Sequence, residues 1–474
     1  MDRLWIDRVD FRSAVIDQVL VAVEESSMAS RIQNRLDDQE FDAVDRARIA
    51  RLFDDSLGAL TSTFEREAAG AWWVPGRIEV FGKHTDYAGG RSLIATVPRG
   101  FAFVGAPRRD GIVRVVDAAT GERREYAPGD PSTPSRGDWG HYIAVVLARF
   151  ARNFPPTSIG ADLAFVSDLP RAAGVSSSSA LTVGAAMALA RLNRLDLHPA
   201  WRANLDSPIA LASYLSCVEN GLTFGSLEGD AGVGTFSGSE DHTAMLCCRP
   251  GVLSVYAFVP VRHVEDAPMP DDWAFVIAAS GVLSEKTGAA QALYNRAALG
   301  ASALLEIWNA ANPPQPSLAA ALQAGEDAES RLRLLVERTP RPGWSSADLQ
   351  RRLTHFINED GRVPMAARAF RQRDADALRA LAADSQADAD ALLGNQIDET
   401  NALATLAASH GGWAACAFGA GFGGSVWALV PGEQAAALGD RWMSAYRARF
   451  PAHESARWFV ARPGPPFIEM LRDP

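Results

Sequence analysis

The chain has 474 residues, of which 47% are hydrophobic and 22% are charged. This length and composition predict a globular protein of two or three domains with sizeable cores. The formal net charge of −11 argues against nonspecific nucleic-acid binding, which depends on lysine and arginine to neutralise phosphates. We therefore expect small molecules or proteins, rather than nucleic acids, as partners.

The cysteines and the apolar runs indicate where the chain works. The four cysteines, at positions 217, 247, 248 and 416, form no CxxC pair and no Cys/His metal spacing. The longest apolar runs are shorter than the roughly 18 residues of a membrane span. The first residues lack the basic and apolar regions of a signal peptide. We expect a cytoplasmic protein with reduced thiols and no membrane partner.

The beginning of the chain is predicted to be helical. Between residues 11 and 67, apolar residues such as Val15, Val19, Leu20 and Val23 recur at helical spacing, with many charges between them. The texture changes near Trp72 to short apolar runs broken by glycine and proline, which is typical of strands and turns. We interpret residues 1–70 as a helical N-terminal extension.

The rest of the chain is predicted to form two domains, residues 71–268 and 269–474, divided at a composition shift near residues 268–272. Alternation predicts strands within 112–126, and a glycine-rich loop spans 221–238. The other predicted strands are 162–166, 273–279, 413–418 and 426–430, and the predicted helices are 181–191, 210–220, 291–308, 317–323, 366–393 and 397–409.

A glycine turn rich in hydroxyl groups, residues 174–180, lies between a predicted strand and a predicted helix. Such a turn places unpaired backbone N–H groups and the positive end of the helix dipole at one point, which suits phosphate. A nucleotide is therefore the first ligand to consider. The alternative is an ordinary helix start capped by serine.

A second set of polar residues is presented by a predicted strand near residue 80 and the glycine turns that flank it. Arg77, Lys83, His84 and Asp86 fall within residues 75–90, a density of hydrogen-bonding groups suited to a polyhydroxylated ligand or a phosphate. The alternative is a set of surface salt bridges.

These motifs carry a resemblance to a known family. Residues 75–90 resemble the galactokinase signature of the GHMP kinase superfamily, residues 170–180 its phosphate-binding loop, and residues 418–425 its third motif. The resemblance extends over roughly residues 72–430. It implies a mixed α/β, two-lobed fold: an N-terminal α/β domain containing a left-handed βαβ unit, and a C-terminal α+β domain.

The resemblance also implies a reaction, namely transfer of the γ-phosphoryl group of ATP to a sugar hydroxyl, with the anomeric hydroxyl as acceptor. Asp241 matches the catalytic aspartate and Arg77 the residue that stabilises charge. Ser178 and Glu219 match the positions that hold Mg²⁺. The implied ATP-binding residues are Gly174, Val175, Ser176, Ser177, Ser178, Ser179 and Trp139, and the implied sugar-binding residues are Lys83, His84, Asp86, Gly238 and Tyr294.

Two departures from the family pattern put galactose in doubt. Galactokinases place Glu where this chain has Lys83, and Asn where it has Glu79. A lysine that reads this end of the substrate would favour an acidic group, such as that of a uronic acid. The alternative is that Lys83 points elsewhere or pairs with Glu79.

Two other functions stay open on the sequence alone. A sugar and ATP sensor without catalysis would act through a protein partner, for which residues 1–70 could serve. The presence of Arg77, Ser178, Glu219 and Asp241 argues against such a sensor. A kinase of the mevalonate or homoserine branches is the other alternative, and the run from His84 to residue 90 argues against it.

Overall fold

The computed structural model describes residues 27–128, 134–170, 174–282 and 291–472. Within these ranges the chain forms one eight-stranded and one four-stranded β-sheet. The strands are β1 (Gly70–Phe81), β2 (Arg91–Pro107), β3 (Val113–Asp117), β4 (Arg123–Tyr126), β5 (Ala161–Ser167), β6 (Val252–Ala257), β7 (Arg262–Pro268), β8 (Trp273–Ala279), β9 (Ala414–Phe418), β10 (Ser425–Pro431), β11 (Arg457–Ala461) and β12 (Ile468–Arg472).

The α-helices surround both sheets. They are α1 (Met28–Asp37), α2 (Ala43–Phe64), α3 (Trp139–Asn153), α4 (Ser177–Leu192), α5 (Pro199–Asn204), α6 (Pro208–Asn220), α7 (Glu240–Cys247), α8 (Gln291–Ala311), α9 (Leu318–Leu322), α10 (Ala328–Arg338), α11 (Ser346–Gln372), α12 (Ala375–Asp388), α13 (Asp398–Ser409) and α14 (Ala435–Arg449). In the part of the chain that the structure describes, no helix is long and apolar enough to cross a membrane.

The eight-stranded sheet positions the phosphate turn and the polar strand. Its main path runs β12-β1-β2-β5-β3-β4, with β6 and β7 attached beside β2. The β3–β5 pair is parallel, and α3 lies between these two strands along the chain, so they form a βαβ unit. Strand β12 is antiparallel to the start of β1, so residues near the end of the chain complete this sheet.

Helices α1 and α2 cover one face of this sheet. Ile49, Phe53 and Leu60 of α2 are buried in a cluster with Ala102 and Val104 of β2. The hydroxyl of Ser56 donates to the carbonyl oxygen of Ala102 at 3.0 Å. The described part of the predicted helical extension therefore packs on the sheet through an apolar face, as amphipathic helices do. Residues 11–26 of that prediction lie outside the described residues.

The four-stranded antiparallel sheet forms the centre of the second lobe, in the order β11-β8-β10-β9. Strand β8 was predicted over the same residues that it occupies. The predicted domain boundaries at 70 and 268 stay a prediction, and β12 pairs across the second of them.

One predicted helix is wrong in its extent. Residues 366–393 contain the end of α11, all of α12 and a short π-helical turn, Ala389–Leu393. The break falls at Arg373, which has a φ of 55°, and the side chain of Asp374 then caps α12 by accepting from Ala377 N–H at 2.9 Å. Helices α3, α5, α7, α10 and α14 and the first part of α11 were not predicted.

Candidate active site

A polar cavity lies where the two lobes meet. The space between its lining atoms is about 320 Å³, a volume that includes the part open to solvent. Its lining residues come from β1 and the turn after it, from the start of α7, from α8 and from the third motif. They are Arg77, Glu79, His84, Asp86, Tyr87, Ser237, Gly238, Glu240, Asp241, Tyr294, Gly419 and Ala420.

Arg77 and Asp241 form the centre of this cavity. The Nε and Nη2 atoms of Arg77 each lie 2.8 Å from Oδ1 of Asp241, and Nη1 donates to the carbonyl oxygen of Gly174 at 2.6 Å. Burial alone would lower the pKa of Arg77, but Asp241, Glu240 and Glu79 together raise it above its ordinary value. The guanidinium group stays charged and joins the cavity to the predicted phosphate turn.

The predicted phosphate turn has the geometry of an anion site. Gly174 has a φ of 76° and Ser176 a φ of 59°, and α4 begins at Ser177. The first bond into the helix runs from Ala180 N–H to the Ser176 carbonyl oxygen, so the amides of Ser177, Ser178 and Ser179 belong to the open helix end. Positive-φ residues before a helix start form the concave amide arrangement that binds phosphate. Val175 is buried behind the turn, and residues 171–173 of the predicted loop lie outside the described residues.

The third motif contacts this turn through backbone atoms. Gly419 has a φ of 78°, and a Cβ atom there would lie 2.8 Å from the carbonyl oxygen of Gly174. Glycine at this position is therefore required both by the backbone conformation and by the close approach of the two turns. The motif also supplies Ala420, whose carbonyl oxygen lies 3.2 Å from Nε2 of His84.

Four of the five predicted sugar-binding residues line the cavity: His84, Asp86, Gly238 and Tyr294. The rings of His84 and Tyr294 lie 5.4 Å apart between centroids. Asp86 Oδ2 accepts from the backbone N–H of Glu240 at 3.2 Å, and a Cβ atom at Gly238 would lie 2.1 Å from the same oxygen. A larger residue at 238 would therefore displace Asp86.

Lys83, the fifth predicted sugar-binding residue, does not line the cavity. Its side chain is 1% exposed, and Nζ donates to Ser385 Oγ at 2.7 Å and to Cys416 Sγ at 3.0 Å, with Oε1 of Glu359 3.8 Å away. Glu359 also accepts from the backbone N–H of Gly82 at 3.0 Å. The expectation that Lys83 reads the substrate does not match this placement.

The pKa of Glu359 reflects this buried pairing. Burial would raise it, but Lys83 and other neighbours lower it to about 2. Burial also opposes the charge on Lys83, but Cys416 and Glu359 raise its pKa overall. We call Lys83, Glu359, Ser385 and Cys416 the lysine cluster.

Among the cavity residues that were not predicted as site residues are two glutamates, Glu79 and Glu240. Glu79 lies two residues after Arg77 on β1, so the two-residue period of a strand places both side chains on one face. Glu240 is the first residue of α7, immediately before Asp241. This strand spacing and this adjacency were the available signals. We call Arg77, Glu79, Glu240 and Asp241 the arginine cluster.

The predicted metal residues lie beside the phosphate turn. Oε2 of Glu219 and Oδ2 of Asp241 each accept from the hydroxyl of Ser179 at 3.3 Å, and Ser178 is half-buried next to it. Oε1 of Glu219 also lies 3.3 Å from Nε2 of His242. Among the described residues, no group of three or more His, Cys, Asp or Glu side chains is arranged to hold a metal ion. This donor set fits Mg²⁺, which is usually held by one or two carboxylates together with substrate phosphates.

Trp139, predicted to border the adenine, begins α3 and is half-buried. Its Nε1 donates to Oε2 of Glu122 at 2.9 Å, and its ring lies edge-on to Phe165 with the guanidinium of Arg124 over it at 5.0 Å. The ring therefore has protein partners on several sides. An adenine contact stays a prediction.

Three family models match successive parts of the chain. The galactokinase galactose-binding signature matches residues 59–107, the GHMP kinases N-terminal domain residues 141–217, and the GHMP kinases C-terminal domain residues 366–448. The first match contains the Arg77 segment, and the second contains the phosphate turn. All three fall in the order that the sequence motifs predicted.

Relatives and solved structures agree with these matches. The chain is 27% identical over 376 residues to a galactokinase of Actinobacillus pleuropneumoniae serotype 3, covering 77% of this chain and 86% of that one. It is 29% identical over 362 residues to a galactokinase of Roseiflexus sp., covering 75% and 82%. Its fold matches Lactococcus lactis galactokinase complexed with galactose at a TM-score of 0.72, with 20% identity and coverage of 87% and 98%. Methanococcus jannaschii mevalonate kinase matches at a TM-score of 0.51, with 12% identity and coverage of 84% and 99%.

The chain belongs to the GHMP kinase superfamily, and the mixed α/β two-lobed fold expected from its motifs is confirmed. Within the superfamily it belongs to the galactokinase-like branch, as expected from the same motifs. It is an ATP-dependent sugar kinase, that is, a phosphotransferase with a hydroxyl acceptor.

Proposed function

We propose that this protein transfers the γ-phosphoryl group of ATP to the anomeric hydroxyl of a monosaccharide that binds in the cavity around Asp241. One observation carries the proposal: Asp241 lines the cavity and also contacts the phosphate turn through Arg77 and Ser179. A carboxylate in this position faces the acceptor on one side and the nucleotide on the other. No described contact favours the sensor function over catalysis.

Each residue has a role in this reaction. Asp241 accepts or orients the proton of the acceptor hydroxyl, and Arg77 stabilises charge on the nucleophile and the moving phosphoryl group. The amides at the start of α4 cradle the phosphates. Glu219 and a serine hydroxyl of the turn would hold Mg²⁺, which neutralises phosphate charge when bound. His84, Asp86, Gly238 and Tyr294 shape the sugar pocket.

The first experiment measures ATP consumption with Mg²⁺ against neutral, acidic and amino sugars, with phosphorus NMR to locate the phosphate on the product. We expect one sugar class to be turned over with a phosphate at the anomeric position. In the Asp241→Asn variant, kcat should fall by about a hundredfold or more while ATP affinity is kept, because the base is lost but the phosphate turn is intact.

The control variant is Glu337→Gln, an exposed residue of α10. Near-normal turnover in Asp241→Asn would contradict the mechanism. Sugar and ATP binding without turnover in the unaltered protein would contradict the kinase reaction and support the sensor.

A further inference from the structure

The cavity contains two carboxyl groups that the kinase mechanism does not use. Glu79 and Glu240 are each 4% exposed and both line the cavity. Within the described part of the chain, the Oε1 atom of each has no hydrogen-bond partner. Oε2 of Glu240 accepts from Ser92 Oγ at 2.6 Å. Buried polar atoms without partners are uncommon in folded proteins and mark positions where a ligand can complete the bonding.

The charges around these two groups are not balanced. Arg77 is the only lysine or arginine among the described residues that line the cavity. Its hydrogen bonds go to Asp241 and to the carbonyl oxygen of Gly174, and its Nε atom is 3.4 Å from Oε1 of Glu240. One guanidinium therefore faces three carboxyl groups of the arginine cluster. Buried carboxylates without matching cations are unfavourable, because each loses its hydration without gaining an opposite charge.

The protein has one way to lower this cost without a ligand, which is to keep a proton on the pair. Burial raises the pKa of Glu79, with Arg77 acting in the opposite direction. Burial and then Glu79 raise the pKa of Glu240 well above its ordinary value. A ligand that brings its own positive charge would replace that proton and offer a hydrogen-bond donor to the Oε1 atoms of both residues.

We propose that Glu79 and Glu240 determine substrate specificity by binding an ammonium group, so that the preferred acceptor is an amino sugar. This inference rests on the proposed sugar kinase function and extends it to a substrate class. An ammonium group offers three donors and one positive charge to two adjacent carboxylates. The acetamido group of an N-acetylated sugar offers no charge, and the carboxylate of a uronic acid meets like charges here. The same two residues therefore select against both.

The test compares matched sugars rather than single compounds. We would measure kcat/KM for galactose, glucose and mannose, for their 2-amino derivatives, for the N-acetylated forms of these, and for galacturonate and glucuronate. In the unaltered protein, at least one amino sugar should exceed its neutral parent by about tenfold or more. Its N-acetylated form and the uronic acids should fall below the neutral parent.

Glu79→Gln and Glu240→Gln keep the shape of the side chains and remove the charge. Each should reduce the ratio of kcat/KM between the amino sugar and its neutral parent by about tenfold. Glu337→Gln, the exposed control, should leave that ratio as it is. A merely structural role for the pair would lower activity on all sugars together and leave the ratio constant, which would overturn the proposal.

The outcomes separate this inference from the function on which it rests. Turnover of neutral sugars with no preference for any amino sugar overturns the inference and leaves the kinase function in place. A preference for a uronic acid overturns it as well. If no sugar of the panel is phosphorylated, the proposed function itself fails, and the inference fails with it.

Discussion

The arginine cluster and the lysine cluster both take residues from one segment, 75–90, but they differ in charge balance. In the lysine cluster, Lys83 and Glu359 are matched and fully enclosed, and Glu359 has a further partner in Arg362 at 3.0 Å. In the arginine cluster, one guanidinium faces three carboxyl groups, and all of them line a cavity. The balanced cluster has no need of a ligand, whereas the charge imbalance of the arginine cluster is the basis of our proposal that a cationic group of the substrate binds there.

The difference in charge balance distinguishes two departures from the galactokinase pattern, one in a buried ion pair and one in the cavity. Lys83 is a charge reversal relative to the galactokinase pattern, and Glu79 is a change from amide to acid a few residues earlier. The first change is absorbed by Glu359, which also accepts from the backbone N–H of Lys83 at 3.2 Å. The second change reaches the cavity. If substrate preference is set in the cavity, as we propose, it should depend on Glu79 more than on Lys83.

The largest effect expected from the difference between the two clusters is a loss of stability when the lysine cluster is broken. Lys83→Met removes one partner of a buried ion pair, so the free energy of unfolding should fall by about 3 kcal/mol. The ranking of sugars by kcat/KM should not change, because Lys83 lies outside the cavity. Chemical denaturation and the sugar panel measure the two effects.

The matched control is Arg351→Met, which removes a half-exposed arginine paired with Asp348. Exposed pairs contribute little, so this change should cost about 0.5 kcal/mol or less. A changed sugar ranking in Lys83→Met, with stability near that of the control, would return Lys83 to the substrate site.

The second prediction, of intermediate size, concerns the proposed Mg²⁺ ligands beside the phosphate turn. Ser179 contacts both Glu219 and Asp241, so Ser179→Ala should raise the Mg²⁺ concentration needed for half-maximal activity by about tenfold, or about 1.4 kcal/mol. Ser178→Ala, one residue away on the same helix, is the comparison variant. A larger effect in Ser178→Ala would favour the residue predicted from sequence.

The smallest effect is a pH dependence of the arginine cluster without ligand. Because the folded pKa values of Glu79 and Glu240 are raised, the folded state holds more protons than the unfolded state above the ordinary glutamate pKa. Stability from this source is present at low pH and is lost as pH rises through the folded values. Glu79→Gln removes part of this loss. The difference between the Tm of the variant and the Tm of the unaltered protein should therefore increase by about 2 °C from pH 5 to pH 8. If Tm depended on pH in the same way in Glu79→Gln and in the unaltered protein, the raised pKa values would be contradicted. The control Glu337→Gln should show the same pH dependence of Tm as the unaltered protein.

Local sequence was enough to predict the motifs of this fold. The phosphate turn, the third motif and the strand carrying Arg77 are each set by glycine positions and apolar spacing within about ten residues. The contact of Gly419 with Gly174, and the closeness of Arg77 and Asp241, agree with the order of motifs that the sequence showed. The family resemblance, not periodicity, supplied the expectation that these segments meet.

Side-chain directions could not be predicted in the same way. The side chain of Lys83 contacts Ser385 on α12 and Cys416 on β9, which lie 302 and 333 residues further along the chain. The sequence around Lys83 therefore could not predict these contacts. Which of Ser178 and Ser179 is the better candidate for a Mg²⁺ ligand depends on which hydroxyl faces Glu219. The rotation of α4 about its axis determines this. The proposed role of Glu240 depends on Glu79 lying next to it in the cavity. Each case needs a contact between distant segments.

The pairing of β12 with β1 has a consequence for dividing this protein into pieces. Strand β1, which carries Arg77 and Glu79, has β2 on one side and β12 on the other at its first residues. A fragment cut at the predicted boundary near residue 268 would leave that side of β1 with unsatisfied backbone groups, a template for aggregation. The lobe built on the eight-stranded sheet is thus discontinuous in sequence, and an isolated version of it needs Ile468–Arg472 joined back to its start.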